Sequence, residues 1–303
     1  MNSITILEFP TNLGLHEPKP GHEPGVKYLP AYLKKQNFHA AIKAEKTERL
    51  VPPEYTMNVD PATKVRNADN IVNYAIKQAE PVERELKQNN FCIVLGGDCS
   101  VLIGNAIALK NTGNYGLFYL DGHTDFMLPE LSQTGGAAGM DLAIVTGYGH
   151  GKLTNIDNLE PYFNEENVWC VGNREYDEAY VNAILHSKIN YWSLTALRGK
   201  NIKNCVNSFL EMVNAQKLDG FWVHIDVDVL DDRIMPAVDS RQSDGLTYEE
   251  FNEIIFMLLN HPKSVGIEIT ILDPELDPTG KYTAGFVTNF CDTFNKTIKG
   301  LSN

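Results

Sequence analysis

The sequence contains no apolar stretch that approaches the roughly 20 residues of a membrane-spanning helix. Its first residues lack the basic segment and cleavage site of a secretion signal, and they predict a β-strand instead. Cysteine is scarce: the five residues are odd in number, are scattered along the chain and include no CxxC pair. Such a set is typical of free thiols in a reducing compartment, so we expect a cytoplasmic protein.

Basic residues are fewer than acidic ones, with 26 Lys and Arg against 39 Asp and Glu, so the formal net charge is −13. A surface of this sign repels nucleic acid and anionic membranes, so neither is expected as a partner, whereas a small cationic substrate is compatible with it. The glycines form neither a GxGxxG pattern nor a P-loop. No repeat or linker divides the chain, so we expect a single domain over residues 1–303.

Short apolar segments alternate along the chain with longer segments of helical periodicity. This alternation predicts an α/β fold with a parallel sheet that is covered by helices on both faces. The predicted strands are Ile4–Glu8, Phe91–Leu95, Gly116–Leu120, Val168–Val171, Ile189–Trp192, Phe221–Asp226 and Val265–Ile269. The predicted helices are Ala68–Gln88, Ser100–Lys110, Tyr176–His186, Ile202–Gln216, Tyr248–Leu259 and Ala284–Ile298. The stretches His16–Pro30 and Val51–Thr63 are expected to be loops or lids.

Two segments carry acidic and imidazole side chains at every second residue. These side chains are Asp121, His123 and Asp125 after one predicted strand, and His224, Asp226 and Asp228 at the end of another. In an extended backbone, side chains two positions apart point the same way, so each trio is expected to converge on one point. Two such groups are suited to a pair of divalent cations, and solvated acids at strand ends are the alternative.

Other polar residues follow further predicted strands. The GGDCS segment that contains Cys99 follows one of them, and Glu268 lies near the end of another. Because sites in open parallel sheets form outside the carboxyl ends of the strands, we expect these residues at one common edge.

Together these segments resemble the ureohydrolase family of arginases, agmatinases and formimidoylglutamases. GGDCS, DGHTD, HIDVDVLDD and GIEIT occur in the order and spacing of that family, over about residues 90–290. The resemblance implies a three-layer αβα fold with a central, mostly parallel eight-stranded sheet and a dinuclear manganese centre. It also implies hydrolysis of a guanidino or formimino carbon–nitrogen bond by a metal-bridging hydroxide, in an enzyme that forms homo-oligomers.

The resemblance also implies six metal ligands. They are Asp121 and Asp226 as bridging carboxylates, His123 and Asp228 at one metal, and Asp125 and Cys99 at the other. Asp125 would also help to protonate the leaving amine. Glu268 would pair with the cationic end of the substrate, unless it is a strand-end glutamate that faces solvent.

The segment after Asp125 departs from the arginase pattern. Met127 stands where arginases have an asparagine that binds the amino-acid end of arginine, and Thr134 falls near the corresponding serine. Ala138 or Gly139 replaces the histidine that serves as proton shuttle, for which His150 is a candidate replacement. Glu175 would contact a substrate amine; its alternative is a position in the first turn of the next helix.

Cys99 is the second departure, because the family usually has a histidine ligand in GGDHS. A thiolate is softer than manganese prefers, and a helix N-terminus is expected to lower the pKa of this thiol. Direct ligation, replacement by water, a different metal and a plain buried thiol all stay open. His224 stands where the family commonly has a small hydroxyl residue, and it is either a compensating imidazole ligand or a supporting or core histidine.

These observations favour an arginase-like hydrolase that releases urea from L-arginine or a related guanidino compound. Formimidoylglutamase or agmatinase activity is the alternative within the enzyme class. A non-catalytic metal-binding relative is the alternative outside it.

Overall fold

An eight-stranded parallel sheet forms the centre of residues 3–175 and 178–301, which the computed structural model describes. Its strands are β1 (Ile4–Glu8), β2 (Lys46–Arg49), β3 (Phe91–Leu95), β4 (Tyr115–Leu120), β5 (Val168–Asn173), β6 (Asn190–Ser193), β7 (Gly220–Asp226) and β8 (Ser264–Thr270). They lie side by side in the order β2-β1-β3-β8-β7-β4-β5-β6. The last two strands of the chain therefore occupy the middle of the sheet.

Helices cover both faces of this sheet. They are α1 (Leu29–Lys35), α2 (Phe38–Ile42), α3 (Ala68–Lys87), α4 (Val101–Thr112), α5 (Asp141–Val145), α6 (Gly151–Thr154), α7 (Glu178–Leu185), α8 (Leu194–Lys200), α9 (Ile202–Ala215), α10 (Tyr248–Leu259) and α11 (Lys281–Leu301). Helices α3 to α7 pack on one face, and α1, α2 and α8 to α11 pack on the other.

The alternation of side chains along each strand divides the core into two layers. In β3, Ile93 and Leu95 belong to the layer beneath α1, α2 and α8 to α11, whereas Cys92 and Val94 belong to the opposite layer. Because both faces are covered, the residues of β3 are all buried, as the continuous apolar run predicts. The three-layer αβα fold expected from the sequence is thus confirmed.

The strands and helices agree with the predicted ones at their centres and differ at their ends. All seven predicted strands are present, and the eighth, β2, was missed because Lys46–Arg49 is polar and lies at the sheet edge. The stretch His16–Pro30 is not entirely loop, since a short 3-10 turn at Gly25–Tyr28 leads into α1. The start of the helix predicted from Tyr176 lies outside the described residues.

The described helices also bear on the expected absence of a membrane span. Within residues 3–175 and 178–301, no helix combines the length and the apolar composition that crossing a bilayer requires.

Close packing between β7 and β8 predicts that Gly266→Ala destabilises the protein. A Cβ at Gly266 would lie 2.2 Å from Cζ3 of the fully buried Trp222 and 2.8 Å from the Cys92 carbonyl oxygen. We expect a loss of about 1–3 kcal/mol in the free energy of unfolding, as is usual for overpacking a core. Urea titration followed by circular dichroism measures this difference.

Gly199→Ala is the matched control, because nothing lies within 4 Å of a Cβ at that position in α8. Alanine is favoured over glycine inside a helix by about 1 kcal/mol, so this variant should be as stable as the parent or more stable. Equal unfolding midpoints for the Gly266 variant and the parent would contradict the packing argument.

Candidate metal and substrate site

The site begins where β4 and β7 end. These strands are neighbours, and Leu120 of β4 is paired with Ile225 of β7. Because both strands run in the same direction, Asp121 and Asp226 emerge side by side at the carboxyl edge of the sheet. Cys99 reaches the same edge from the turn after β3, where its Sγ lies 3.2 Å from Oδ2 of Asp226.

The candidate ligands among the described residues form three overlapping groups rather than the two predicted trios. The first contains Cys99, Asp121, Asp125 and Asp226, the second contains Asp121, His123 and Asp228, and the third contains Cys99, Asp121 and His224. Within each group, one candidate ligand atom from every residue lies within 4.8 Å of the others. Asp121 belongs to all three groups, and between the first two its carboxylate is placed to face two cations.

The prediction that each trio converges on its own point was wrong, because the backbone is not extended there. Strand β4 ends at Leu120, and Asp125 adopts a φ of 42° in the left-handed region. Asp228 lies in a 3-10 turn after β7. The rule that alternate side chains share a face applies only to extended backbone, so the loops sort the ligands differently.

The carboxylates of Asp121 and Asp226 are buried and close to other acids. Burial first, and then the negative charges of Asp125 and Asp228, raise the pKa of Asp121 well above its usual value. Burial together with Asp228 and Asp121 does the same to the pKa of Asp226. Oδ2 of Asp121 is buried and has no hydrogen-bond partner among the described residues. A cation would supply the partner that this oxygen lacks and would offset the repulsion at both carboxylates.

Asp228 has a different environment because cationic groups surround it. Nδ1 of His123 lies 2.9 Å from Oδ2 of Asp228, and the backbone N–H of Gly122 donates to Oδ1 over 3.0 Å. Burial acts to raise the pKa of Asp228, but the charge and hydrogen bond of His123, with Arg174, outweigh it and the pKa is lowered. Burial opposes protonation of His123, yet Asp228 raises the pKa of that imidazole to about 10.

The lowered thiol pKa expected for Cys99 was wrong. The side chain is completely buried, and burial, followed by the charge of Asp226, raises the pKa of this thiol well above its usual value. Burial and the neighbouring carboxylates therefore outweigh any lowering by the start of α4. The thiol contacts the carboxylate of Asp226, and Oγ1 of Thr270 lies 3.2 Å from Sγ.

Glu268 does not lie where the sequence placed it. Its side chain is completely buried inside the sheet and does not line the cavity. Oε1 lies 2.5 Å from Nδ1 of His224, and Oε2 accepts a hydrogen bond from Nδ2 of Asn105 in α4. The roles expected for it, as the substrate-binding carboxylate or as a solvent-facing glutamate, are corrected, because both of its oxygens are already engaged below the edge of the sheet.

Tyr119 and Asp141 are polar residues of the site that the sequence analysis did not identify. The Tyr119 hydroxyl lies 2.8 Å from Oδ1 of Asp141 and 3.1 Å from Oδ2 of Asp125. Its ring stacks on the imidazole of His224, with centroids 4.2 Å apart and planes at 3°. A tyrosine inside an apolar strand was the available signal, because a buried hydroxyl needs a partner.

A cavity of about 480 Å³ opens above these side chains. Its floor includes His123, Asp125, Asp226 and Asp228, and its walls include Thr134, Glu175, Asp239, Arg241 and Ile271. The guanidinium of Arg241 is engaged with Asp232 over 2.6 Å and 2.8 Å. The remaining acids leave the cavity with a strong excess of negative charge, which favours a cationic ligand.

Other residues predicted for the site are placed as follows. Met127, Ala138 and Gly139 line the cavity. His150 does not line it. Its Nδ1 accepts a hydrogen bond from the Lys152 backbone N–H at the start of α6. His16 lines the cavity instead, and no periodic signal in the sequence identified it.

Ile271 shows that the backbone beside the cavity is strained. This β-branched residue has a φ of 72°, and its N–H donates to the Gly97 carbonyl oxygen over 2.7 Å. A left-handed conformation at a β-branched residue costs about 1–3 kcal/mol and is found preferentially at functional sites. The hydrogen bond to the turn after β3 maintains it.

The donor atoms of the first two groups fit divalent metal ions. Carboxylate oxygens predominate, an imidazole and a thiol complete the sets, and the Asp121 oxygen without a partner lies where they meet. Oxygen-rich sets with imidazole are suited to manganese and related divalent ions, and the thiol favours a softer ion.

Comparisons with known proteins place this geometry in context. Residues 2–294 match the sequence model described as the Arginase family. An arginase of Staphylococcus aureus (strain MRSA252) is 29% identical over 216 residues, which are 70% of each chain. The structure of the arginase from Bacillus caldovelox has a TM-score of 0.87 at 24% identity and covers 97% of this chain and 98% of its own.

A further similar structure is that of Entamoeba histolytica arginase in complex with L-ornithine. It has a TM-score of 0.84 at 20% identity and covers 96% of this chain and 97% of its own. At these identities the structural likeness concerns the fold.

Repulsion at Asp121 predicts opposite effects of Asp121→Asn on stability and on metal binding. Without metal, the variant should be more stable than the parent at neutral pH, by about 1 kcal/mol. The pKa of Asp121 is higher in the folded protein than in the unfolded chain. The protonated side chain therefore does not lower the free energy of unfolding below about pH 4, whereas its ionisation lowers that free energy increasingly as the pH rises. The stability gain should therefore vanish near pH 4 and grow above it in urea titrations.

With manganese added, the order should reverse. The parent gains stability in proportion to ion binding, whereas an uncharged asparagine amide cannot neutralise two cations and the variant gains far less. Asp219→Asn is the control, because Asp219 is an exposed carboxylate that immediately precedes β7, at the opposite end from Asp226. Equal metal-induced shifts in Tm for the parent and Asp121→Asn would contradict the assignment.

Proposed function

The chain belongs to the arginase family, and from this premise we propose that it hydrolyses the guanidino group of L-arginine to urea and L-ornithine with the help of two manganese ions. Its class is that of the hydrolases that act on carbon–nitrogen bonds of linear amidines. We further propose that it acts in the cytoplasm as a homo-oligomer.

One observation carries this proposal. Two groups of candidate metal ligands share Asp121 and open onto an acidic cavity. Paired divalent ions at such a site supply an activated water molecule near neutral pH and stabilise developing charge. A cavity of about 480 Å³ is also of the size that encloses a small ligand.

Asp125 on the floor of the cavity is the residue that we propose for proton transfer. Asp125 lies at the cavity, and the Tyr119 hydroxyl donates to its Oδ2 over 3.1 Å. This hydrogen bond leaves Oδ1 of Asp125 available to hold a proton and to transfer it to the leaving amine. The same hydroxyl lies 2.8 Å from Oδ1 of Asp141, so its single proton is shared between two carboxylates, and burial raises the pKa of Asp141 well above its usual value.

Asp239 is the carboxylate that we propose for the cationic end of the substrate, in place of Glu268. It lines the cavity together with Asp228 and His123, whose charges act on its carboxylate. Glu175 lines the same cavity and is proposed to bind the substrate amine. The guanidinium at Asp239 and the ammonium at Glu175 would each gain charge-assisted hydrogen bonds.

The other end of the cavity decides which guanidino compound is bound. Thr134 and Ser132 line it with hydroxyl groups suited to a carboxylate. Met127 also lines it and offers no donor, which is compatible with agmatine, because the tail of agmatine ends in an ammonium group and has no carboxylate. The polar pair favours arginine, and Met127 is the reason to test agmatine beside it.

The substrate assignment is tested by incubating the manganese-loaded protein with arginine, agmatine and formimidoylglutamate. Urea with L-ornithine from arginine is the expected result. Urea from agmatine alone would identify agmatine as the substrate instead of arginine. Formamide from formimidoylglutamate alone would identify formimidoylglutamate as the substrate. Absence of turnover with all three under manganese and cobalt would refute the catalytic function.

Asp239→Asn should separate substrate binding from metal binding. Loss of the carboxylate removes a charge-assisted contact, so we expect kcat/KM to fall by about tenfold or more while manganese affinity stays unchanged. Asp244→Asn is the control, because Asp244 lies in the same connection after β7 but is paired with Arg198 outside the cavity. An unchanged kcat/KM for the Asp239 variant would exclude Asp239 from substrate recognition.

A further inference from the structure

The imidazole of His224 is held rigidly beneath the two ligand groups. The side chain is completely buried in β7, and its Nδ1 lies 2.5 Å from Oε1 of Glu268. The Tyr119 ring, almost parallel to it, covers one face. These contacts fix both the position and the orientation of the ring.

The partners of Glu268 determine which nitrogen of His224 carries the proton. An ionised carboxylate only accepts hydrogen bonds, and Asn105 already donates to its other oxygen. Nδ1 of His224 is therefore the donor to Glu268, and a neutral ring bound in this way has its lone pair on Nε2. Nε2 is buried and has no hydrogen-bond partner among the residues that the structure describes.

The free nitrogen belongs to the third group of candidate ligands. A ring nitrogen of His224, the thiol of Cys99 and a carboxylate oxygen of Asp121 lie within 4.8 Å of one another. Since Nδ1 is engaged with Glu268, Nε2 is the available atom. Ligands about 2.0–2.3 Å from one cation fit within this separation.

We infer that Nε2 of His224 is a metal ligand on the Cys99 side of the site and that Glu268 positions it. The chain would thus supply from β7 the imidazole that the family motif supplies at position 99. A carboxylate that holds the far nitrogen of a ligating histidine is a recurrent arrangement, because it fixes the tautomer and increases the basicity of the ligand. The inference rests on the metal-dependent function proposed above.

A second His–Glu pair shows that such a pair alone is not a metal site. His39 lies 2.9 Å from Glu8 near the edge of the sheet, and its Nδ1 is also buried without a partner among the described residues. No group of candidate metal ligands within the described part of the chain includes His39. The proximity of Cys99 and Asp121 is what distinguishes His224.

His224→Asn tests the inference, because an asparagine amide can replace Nδ1 as the donor to Glu268 but provides nothing at Nε2. Isothermal titration with manganese alone, without substrate, should show at least one ion bound about tenfold or more weakly than in the parent. Glu268→Gln should weaken the same ion by about 10–100-fold, the usual effect of changing a residue that supports a ligand. His39→Asn is the matched control and should bind manganese like the parent.

A swap of ligands provides a second and independent test. His224→Ser alone should weaken manganese binding, and Cys99→His combined with His224→Ser should restore at least tenfold of the lost affinity. The recovery is expected because the double variant has the arrangement of the family motif. Absorption spectra of the cobalt-loaded proteins should change with His224→Asn and not with His39→Asn.

Manganese affinity that is unchanged in His224→Asn would overturn the inference and leave His224 as a structural residue. A double variant that binds no better than His224→Ser would also overturn it. These outcomes are distinct from failure of the proposed function, since a parent protein that binds two ions but turns over no guanidino compound would refute the catalysis and still support the ligand.

Discussion

Repulsion between buried carboxylates is the constraint on which the rest of this site depends. The parallel sheet brings Asp121 and Asp226 side by side, and the loops that follow add Asp125 and Asp228. Of these four acids, Asp228 is the one whose pKa is lowered, because His123 contacts it. The fold therefore maintains a negative site whose energy falls when cations enter, so metal binding and stability are coupled.

A second layer of polar residues supports these acids from below. Asn105 of α4, Glu268 of β8 and His224 of β7 form a continuous chain of hydrogen bonds, and the Tyr119 ring of β4 stacks against its end. Polar groups at this depth are costly unless they are paired, and in this network Nε2 of His224 and Oδ1 of Asn105 have no partner among the described residues. The network ties one helix and three strands to the orientation of a single imidazole.

Much of the fold was predictable because apolar runs bounded by turns identify buried strands well. Strand β2 was not predicted in this way, because Lys46–Arg49 is polar and pairs along one side only. Helices α1 and α2 are short and follow a Pro- and Gly-rich stretch, where local composition favours turns. In both cases tertiary packing, which a single sequence does not display, decides the conformation.

The site was predictable in its residues more than in its geometry. The motifs led to the acids at the edge of the sheet, but the pairing of His123 with Asp228 depends on turns after β4 and β7 that periodicity does not describe. The position of Glu268 was misjudged because residue spacing does not show how deep a side chain lies. The pKa of the Cys99 thiol was expected to depend mainly on the start of the helix. It depends instead on burial and on carboxylates that come from distant segments of the sequence.

The order of the strands has a consequence for how the chain matures during synthesis. Strands β1 to β3 and strands β4 to β6 are made first, yet β3 and β4 are not neighbours, because β8 and β7 lie between them. Until Thr270, the last residue of β8, has left the ribosome, the molecule consists of two sheet fragments with open edges, which are prone to aggregation. Strand β8 is the one that joins β3 to β7, so Cys99 and Asp226 come together at one edge only when this last strand is in place.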